Sequence, residues 1–158
     1  MPEPKKPDLS DSRTFENLKA AFTADCQDVA RFRYFANRAD LEGSLDSAVL
    51  FRAATEGQAT RTLGHLEFLS AVCDPVTRVR IGANEQNLRA AISRTSYEGE
   101  TMYVNFAKTA REEGFDAVAE WFESLAAAEL QLQRRFELAL ASLGPRSSDS
   151  SAEHEPLS

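Results

Sequence analysis

The stretch LFRAATEGQATRTLGHLEFL, Leu50 to Leu69, is composed almost entirely of residues that tolerate or favour a helix. At 3.6 residues per turn, one face of that helix carries Phe51, Ala54, Gln58, Arg61, His65 and Phe68. An amide and a guanidinium at the centre of an apolar stripe are costly to bury unless partners face them. The fold must therefore supply other helices with polar groups at the same height.

Three further seams answer that requirement. The first runs Phe15, Leu18, Phe22, Asp25, Val29, Phe32, Ala36; another runs Leu88, Ile92, Thr95, Glu98, Met102, Phe106; the last runs Val118, Phe122, Leu125, Glu129, Leu132, Phe136, Leu143. Each is apolar except at its midpoint. The expectation is an all-α four-helix bundle with one polar layer across its middle, in which Arg61 meets Asp25, Glu98 or Glu129.

The same text bounds the elements. Helices are expected over 14–41, 45–71, 84–112 and 115–143, with Thr14 and Asn84 as N-caps and Gly43 and Gly114 closing two tight turns. The folded body is 13–143. Residues 1–12 and 144–158, rich in Pro, Ser and charge, are expected to be disordered tails.

The halves repeat. Asn17-Leu18-Lys19-Ala20-Ala21 returns seventy residues on as Asn87-Leu88-Arg89-Ala90-Ala91, whereas Phe35, Glu42 and Phe51 return seventy-one residues on as Phe106, Glu113 and Phe122. The chain is thus a duplicated helical hairpin. One extra residue lies between Ala91 and Phe106, and a helix absorbs such an insertion as a single wide π turn. The link between hairpins, about eleven residues, spans roughly 36 Å when extended, against roughly 42 Å for a twenty-eight-residue helix. Exchange of helices between subunits stays open on those numbers.

Composition narrows the function classes. With 158 residues, 42% hydrophobic and 27% charged, the chain is expected to be one soluble domain, with no apolar run of membrane-spanning length. A formal charge of -7 disfavours nucleic-acid and anionic-membrane surfaces. Pro2-Glu3-Pro4-Lys5-Lys6-Pro7 has no apolar segment behind it, so a cytoplasmic location is expected. Cys26 and Cys73 stand far apart without a CxxC pattern, which argues against a zinc ribbon, a rubredoxin-type iron site or a disulfide framework.

Inward carboxylates on four helices are how bundles build a pair of iron or manganese ions, usually with Glu-x-x-His on two of the helices. The sequence resembles the rubrerythrin family of the ferritin-like superfamily in TFENLKAAFTAD (Thr14 to Asp25), YFANRADLEG (Tyr34 to Gly43), LFRAA (Leu50 to Ala54) and HLEFL (His65 to Leu69). The likeness continues through IGANEQNLRAAI (Ile81 to Ile92), SYEGETMYVNFAKTAREEGF (Ser96 to Phe115) and AEWFESLAAAE (Ala119 to Glu129). The resemblance implies a four-helix fold and non-haem di-iron peroxide reduction, with electrons from a rubredoxin-type domain that has no counterpart in these residues.

Carried over by position, that resemblance puts Asp25 where the family has a glutamate, Gln58 and Arg61 at the first Glu-x-x-His, Thr95 and Glu98 at the third-helix pair, and Glu129 and Leu132 at the second Glu-x-x-His. Of the two tyrosines it implies beside the metals, one matches Tyr103 and the other is Phe32. His65 matches a packing residue one turn beyond Arg61, and His154 lies in the tail. Three carboxylates and a permanent cation are a poor match for two divalent ions, because Arg61 cannot deprotonate to ligate and repels a metal. The expectation is that Arg61 replaces the metal in a buried ion-pair network, with no cofactor and Asp25, Glu98 and Glu129 vestigial; iron or manganese is the alternative.

The leading function is then a non-catalytic binding or regulatory protein, a homodimer with an unidentified protein partner. A peroxide reductase or oxidase with an altered metal site, in which Tyr103 could take part, and a carrier of a metal or small ligand are the alternatives. Trp121 and Phe115 fit either packing or dimer contacts.

Overall fold

The computed structural model describes residues 8–144, so most of the two expected tails lies outside the described residues. The chain is all-α, and among the described residues there is no strand. Its elements are α1 (Arg13–Leu41), α2 (Leu45–Ser70), α3 (Asn84–Tyr97), a π-helical turn (Glu98–Met102), α4 (Tyr103–Glu112) and α5 (Asp116–Ser142). This is the two-hairpin pattern of the ferritin-like four-helix class. The two compact units are Met1–Gly82 and Ala83–Ser158.

In the first unit α1 packs against α2; in the second, α5 packs against α3, the π turn and α4. The helix starts differ from those expected. Ser12, not Thr14, caps α1, its Oγ accepting from the Phe15 amide at 3.0 Å. At α3 the cap is Ala83, whose amide donates to Gln86 Oε1 at 3.3 Å, and Asn84 is already helical. A hydroxyl placed to accept from the third amide onward decides such cases, and Ser12 has that spacing.

The turns of the two hairpins are copies. Gly43 and Gly114 both take positive φ, 77° and 84°, which a side chain resists. The Ser44 amide donates to Ala39 O at 2.8 Å and the Phe115 amide to Ala110 O at 2.7 Å, and the glycine amides bond Asp40 O and Arg111 O at 3.0 and 3.1 Å. That pair of bonds is the Schellman end of a helix.

Small residues set how closely the helices approach. Ala36, Ala39, Ala48 and Thr55 are buried in the first hairpin, and seventy-one residues on Ala107, Ala110, Ala119 and Ala126 are buried in the second. The Thr55 hydroxyl is satisfied by donating to Phe51 O at 2.8 Å. The large seam residues are mostly half-buried within their own hairpin, and Phe68 stays 66% exposed.

The wide turn expected between Ala91 and Phe106 is the π turn, closed by the Tyr103 amide on Glu98 O. It lengthens one turn by a residue, so Tyr103 and Phe106 fall into the register that Phe32 and Phe35 hold in the first hairpin. Gly99, inside it, is buried against α5: a Cβ there would lie 2.9 Å from Leu130 Cγ and Cδ2 and 3.1 Å from Ala126 O.

Candidate functional site

Each hairpin holds its own set of polar midpoints. In the first, Asp25 of α1 lies opposite His65 of α2, with His65 Nε2 3.2 Å from Asp25 Oδ2. Both are shielded, with side chains 17% and 25% exposed. Arg61 does not reach Asp25: it is exposed, and its Nη1 donates to Gln58 Oε1 at 3.1 Å on its own helix. His65, expected to be a packing residue, is therefore the group that answers Asp25. Spacing places a residue on a face but leaves the long arginine chain free to turn, and Gln58, one turn back, is the nearer acceptor.

Cys26, beside Asp25, is exposed, and burial followed by the Asp25 charge pushes its thiol up, away from a reactive thiolate. In the same hairpin Phe32, Phe35 and Phe51 cluster, with ring centroids 5.5 to 6.3 Å apart.

The second hairpin holds the denser site. Glu98 opens the π turn, and its Oε1 accepts from Arg94 Nε at 2.6 Å and Nη2 at 2.5 Å. The guanidinium also lies 3.9 Å from Met102 Sδ and 5.8 Å from the centre of the Tyr97 ring. The arginine that holds a carboxylate here is Arg94, not Arg61. Nothing in the seam pattern marks Arg94, but its i,i+4 spacing to Glu98 is a legible ion-pair signal.

Glu129 of α5 feels the same groups. Burial raises its pKa, the Glu98 carboxylate raises it further, and Arg94 opposes both. Tyr103 shares the environment: burial, then Glu98 and Glu129, hold its phenol up, again against Arg94. Its ring stacks on Phe122 at 5.9 Å and meets Phe106 edge-on at 6.4 Å. Chemically, a carboxylate with a raised pKa beside a second carboxylate and a phenol can hold a proton or face a cation.

Thr95 and Leu132, the other expected site positions in this hairpin, carry no donor aimed at these groups. Thr95 is buried, and its hydroxyl donates to Ala91 O at 2.9 Å and Ile92 O at 3.2 Å. Leu132 is half-buried hydrocarbon. Among the described residues no three of His, Cys, Asp and Glu come together in a group that could hold a metal ion. Trp121 and Phe115 are exposed, 61% and 58%. No helix among the described residues is long and apolar enough to cross a membrane.

The rubrerythrin family model matches residues 16–140. Rubrerythrin-1 of Clostridium acetobutylicum is 30% identical over 146 residues, covering 85% of this chain and 73% of that protein. The rubrerythrin of Porphyromonas gingivalis is 31% identical over 137 residues, covering 84% and 68%, and that of Nitratidesulfovibrio vulgaris 32% identical over 136, covering 81% and 69%. The expectation of no cofactor is corrected here: the family is one of di-iron proteins, and these relatives point to iron. Arg61, expected to stand in the metal's place, instead donates to Gln58 on its own helix. Family model and relatives agree over most of the chain, and it belongs to the rubrerythrin family.

Proposed function

We propose that this chain is a rubrerythrin with a depleted di-iron site, which holds fewer than two irons and acts by binding rather than by peroxide turnover. The observation that carries the reading is the Arg94–Glu98 ion pair, with Nε and Nη2 both on one carboxylate oxygen. A di-iron bundle site uses about four glutamates and two histidines. At the positions the family resemblance gives to iron ligands, the first hairpin offers Asp25, bonded to His65, and the second offers Glu98, bonded to Arg94, and Glu129. Gln58, Arg61, Thr95 and Leu132 stand at the other positions. That donor set does not fit the full centre, and no reaction step is drawn through it.

Exposed Phe68, Trp121 and Phe115 support a homo-oligomer, a dimer being the simplest, in which some of this surface is covered. A cytoplasmic location fits the same reading. One observation favours the other reading, a peroxide reductase of altered type: Tyr103 sits within the field of both Glu98 and Glu129. Peroxide consumption separates the two. Protein loaded with ferrous iron and given a reductant should consume peroxide no faster than the same iron in buffer; consumption well above that, abolished by Glu129→Ala, would establish the second reading.

A further inference from the structure

The ion pair at the start of the π turn has a consequence beyond the loss of ligands. We infer that Arg94 is the resident counter-cation of the Glu98 carboxylate, a positioning residue that any divalent ion must displace before Glu98 can ligate it. The inference rests on the reading of a depleted site.

Three features fix the guanidinium. Its Nε and Nη2 converge on Glu98 Oε1 at 2.6 and 2.5 Å, its Nη2 is 3.9 Å from Met102 Sδ, and its Cζ lies 5.8 Å from the centre of the Tyr97 ring. Glu98 is largely shielded, its side chain 16% exposed against 39% for Arg94, so the pair is not an ordinary solvated surface bridge. Charge-assisted hydrogen bonds to a shielded carboxylate are the strong kind. Breaking them, and leaving a fixed positive charge beside an incoming ion, both weaken metal binding.

The field of Arg94 extends past its direct partner. Glu129 and Tyr103 both carry an opposing influence from it, which places all three groups in one electrostatic unit with Glu98. The π turn contributes to the arrangement. Glu98 is its first residue, so Arg94 reaches it along ordinary α-helical i,i+4 spacing before the register shifts. One residue later the pairing would point elsewhere on the helix.

Mn(II), which is stable in air, is the probe, with free ion counted by its electron paramagnetic resonance signal in the presence of full-length protein. Arg94→Gln is expected to bind Mn(II) about tenfold or more tighter than the unaltered protein, the equivalent of one charge-assisted hydrogen bond. The gain should vanish in the Arg94→Gln, Glu98→Gln double variant. Arg94→Lys keeps the charge with a less rigid donor set and should bind between the two. If Arg94→Gln does not fold, Arg94→Lys decides: tighter binding than the unaltered protein supports the inference, and equal binding overturns it. A folded Arg94→Gln that binds no tighter, or a gain that persists without Glu98, likewise overturns it. Neither of those results touches the reading of a depleted site, which fails separately if the unaltered protein takes up two irons and turns over peroxide.

Discussion

Arg111 grips Glu123 through Nε at 3.0 Å and Nη2 at 2.8 Å, tying α4 to α5. Seventy-one residues earlier the same two places hold Asp40 and Arg52, bonded to each other with the charges exchanged. The duplication has kept the bridge but not its sign, as expected where geometry selects the contact and either order of charges satisfies it.

That inversion predicts a rescue. Arg111→Glu and Glu123→Arg should each lower the thermal midpoint, and the double exchange should recover most of the loss. Glu123 has its pKa held down, chiefly by the Arg111 hydrogen bond. A depressed carboxylate contributes stability above its unfolded value and loses it as pH falls through the folded one. The difference between the unaltered protein and Glu123→Gln should therefore shrink on acidification. A constant difference across the acid range would show that the bridge contributes nothing through this charge.

Gly99 should not accept a methyl group. An alanine would ordinarily gain about 1 kcal/mol over glycine in a helix. Here its Cβ would stand 2.9 Å from Leu130 Cγ and 3.1 Å from the Ala126 carbonyl, neither a free chain end. Overpacking of this kind costs about 1–3 kcal/mol, so Gly99→Ala is expected to be net destabilising in chemical denaturation, and Leu130→Ala in the same chain should recover part of the loss. A Gly99→Ala protein more stable than the original would refute the close approach at the π turn.

Glu129 gives the opposite pH sign to Glu123. Its folded pKa is raised above the ordinary 4.5, by burial first and by Glu98 second. The protonated form is thus favoured in the fold, and its contribution is complete below the unfolded pKa and lost as pH rises through the folded value. Glu129→Gln mimics the protonated form. It should be more stable than the unaltered protein at neutral pH and close to it in acid, read as thermal midpoints across a pH series. Equal midpoints at pH 7 would mean the carboxylate is not strained by its surroundings.

Asp25 depends on His65 alone among the described groups that bond it. Removing one member of a shielded pair strands the other, at a cost of about 1–3 kcal/mol, whereas removing both is cheaper than the sum. His65→Leu and Asp25→Leu should each destabilise the protein, and the double variant should lose less than the two together. Strict additivity would show that the 3.2 Å contact does not couple them.

Much of this was legible in the sequence. The seventy and seventy-one residue offsets located both the duplication and the π turn, because a helix must absorb an inserted residue somewhere between Ala91 and Phe106. Gly43 and Gly114 marked the turns because only glycine takes their φ without strain. The midpoint residues were identified by height along the seams, but their partners were not. Arg61 was expected to reach across and instead folds onto Gln58, while Arg94 lies off the seam and reaches Glu98 along the helix. His65 is forty residues from Asp25, and one sequence gives no sign that they meet. Periodicity fixes where a Cα–Cβ bond points; the four flexible bonds of an arginine then choose among acceptors within reach.

A donor set too small for two irons makes the count of iron per chain the decisive quantity. Protein loaded anaerobically with excess ferrous iron, desalted and analysed for metal should retain fewer than two irons per chain, and Glu98→Gln should retain less still. Two tightly held irons per chain, unchanged by the loss of Glu98, would contradict it.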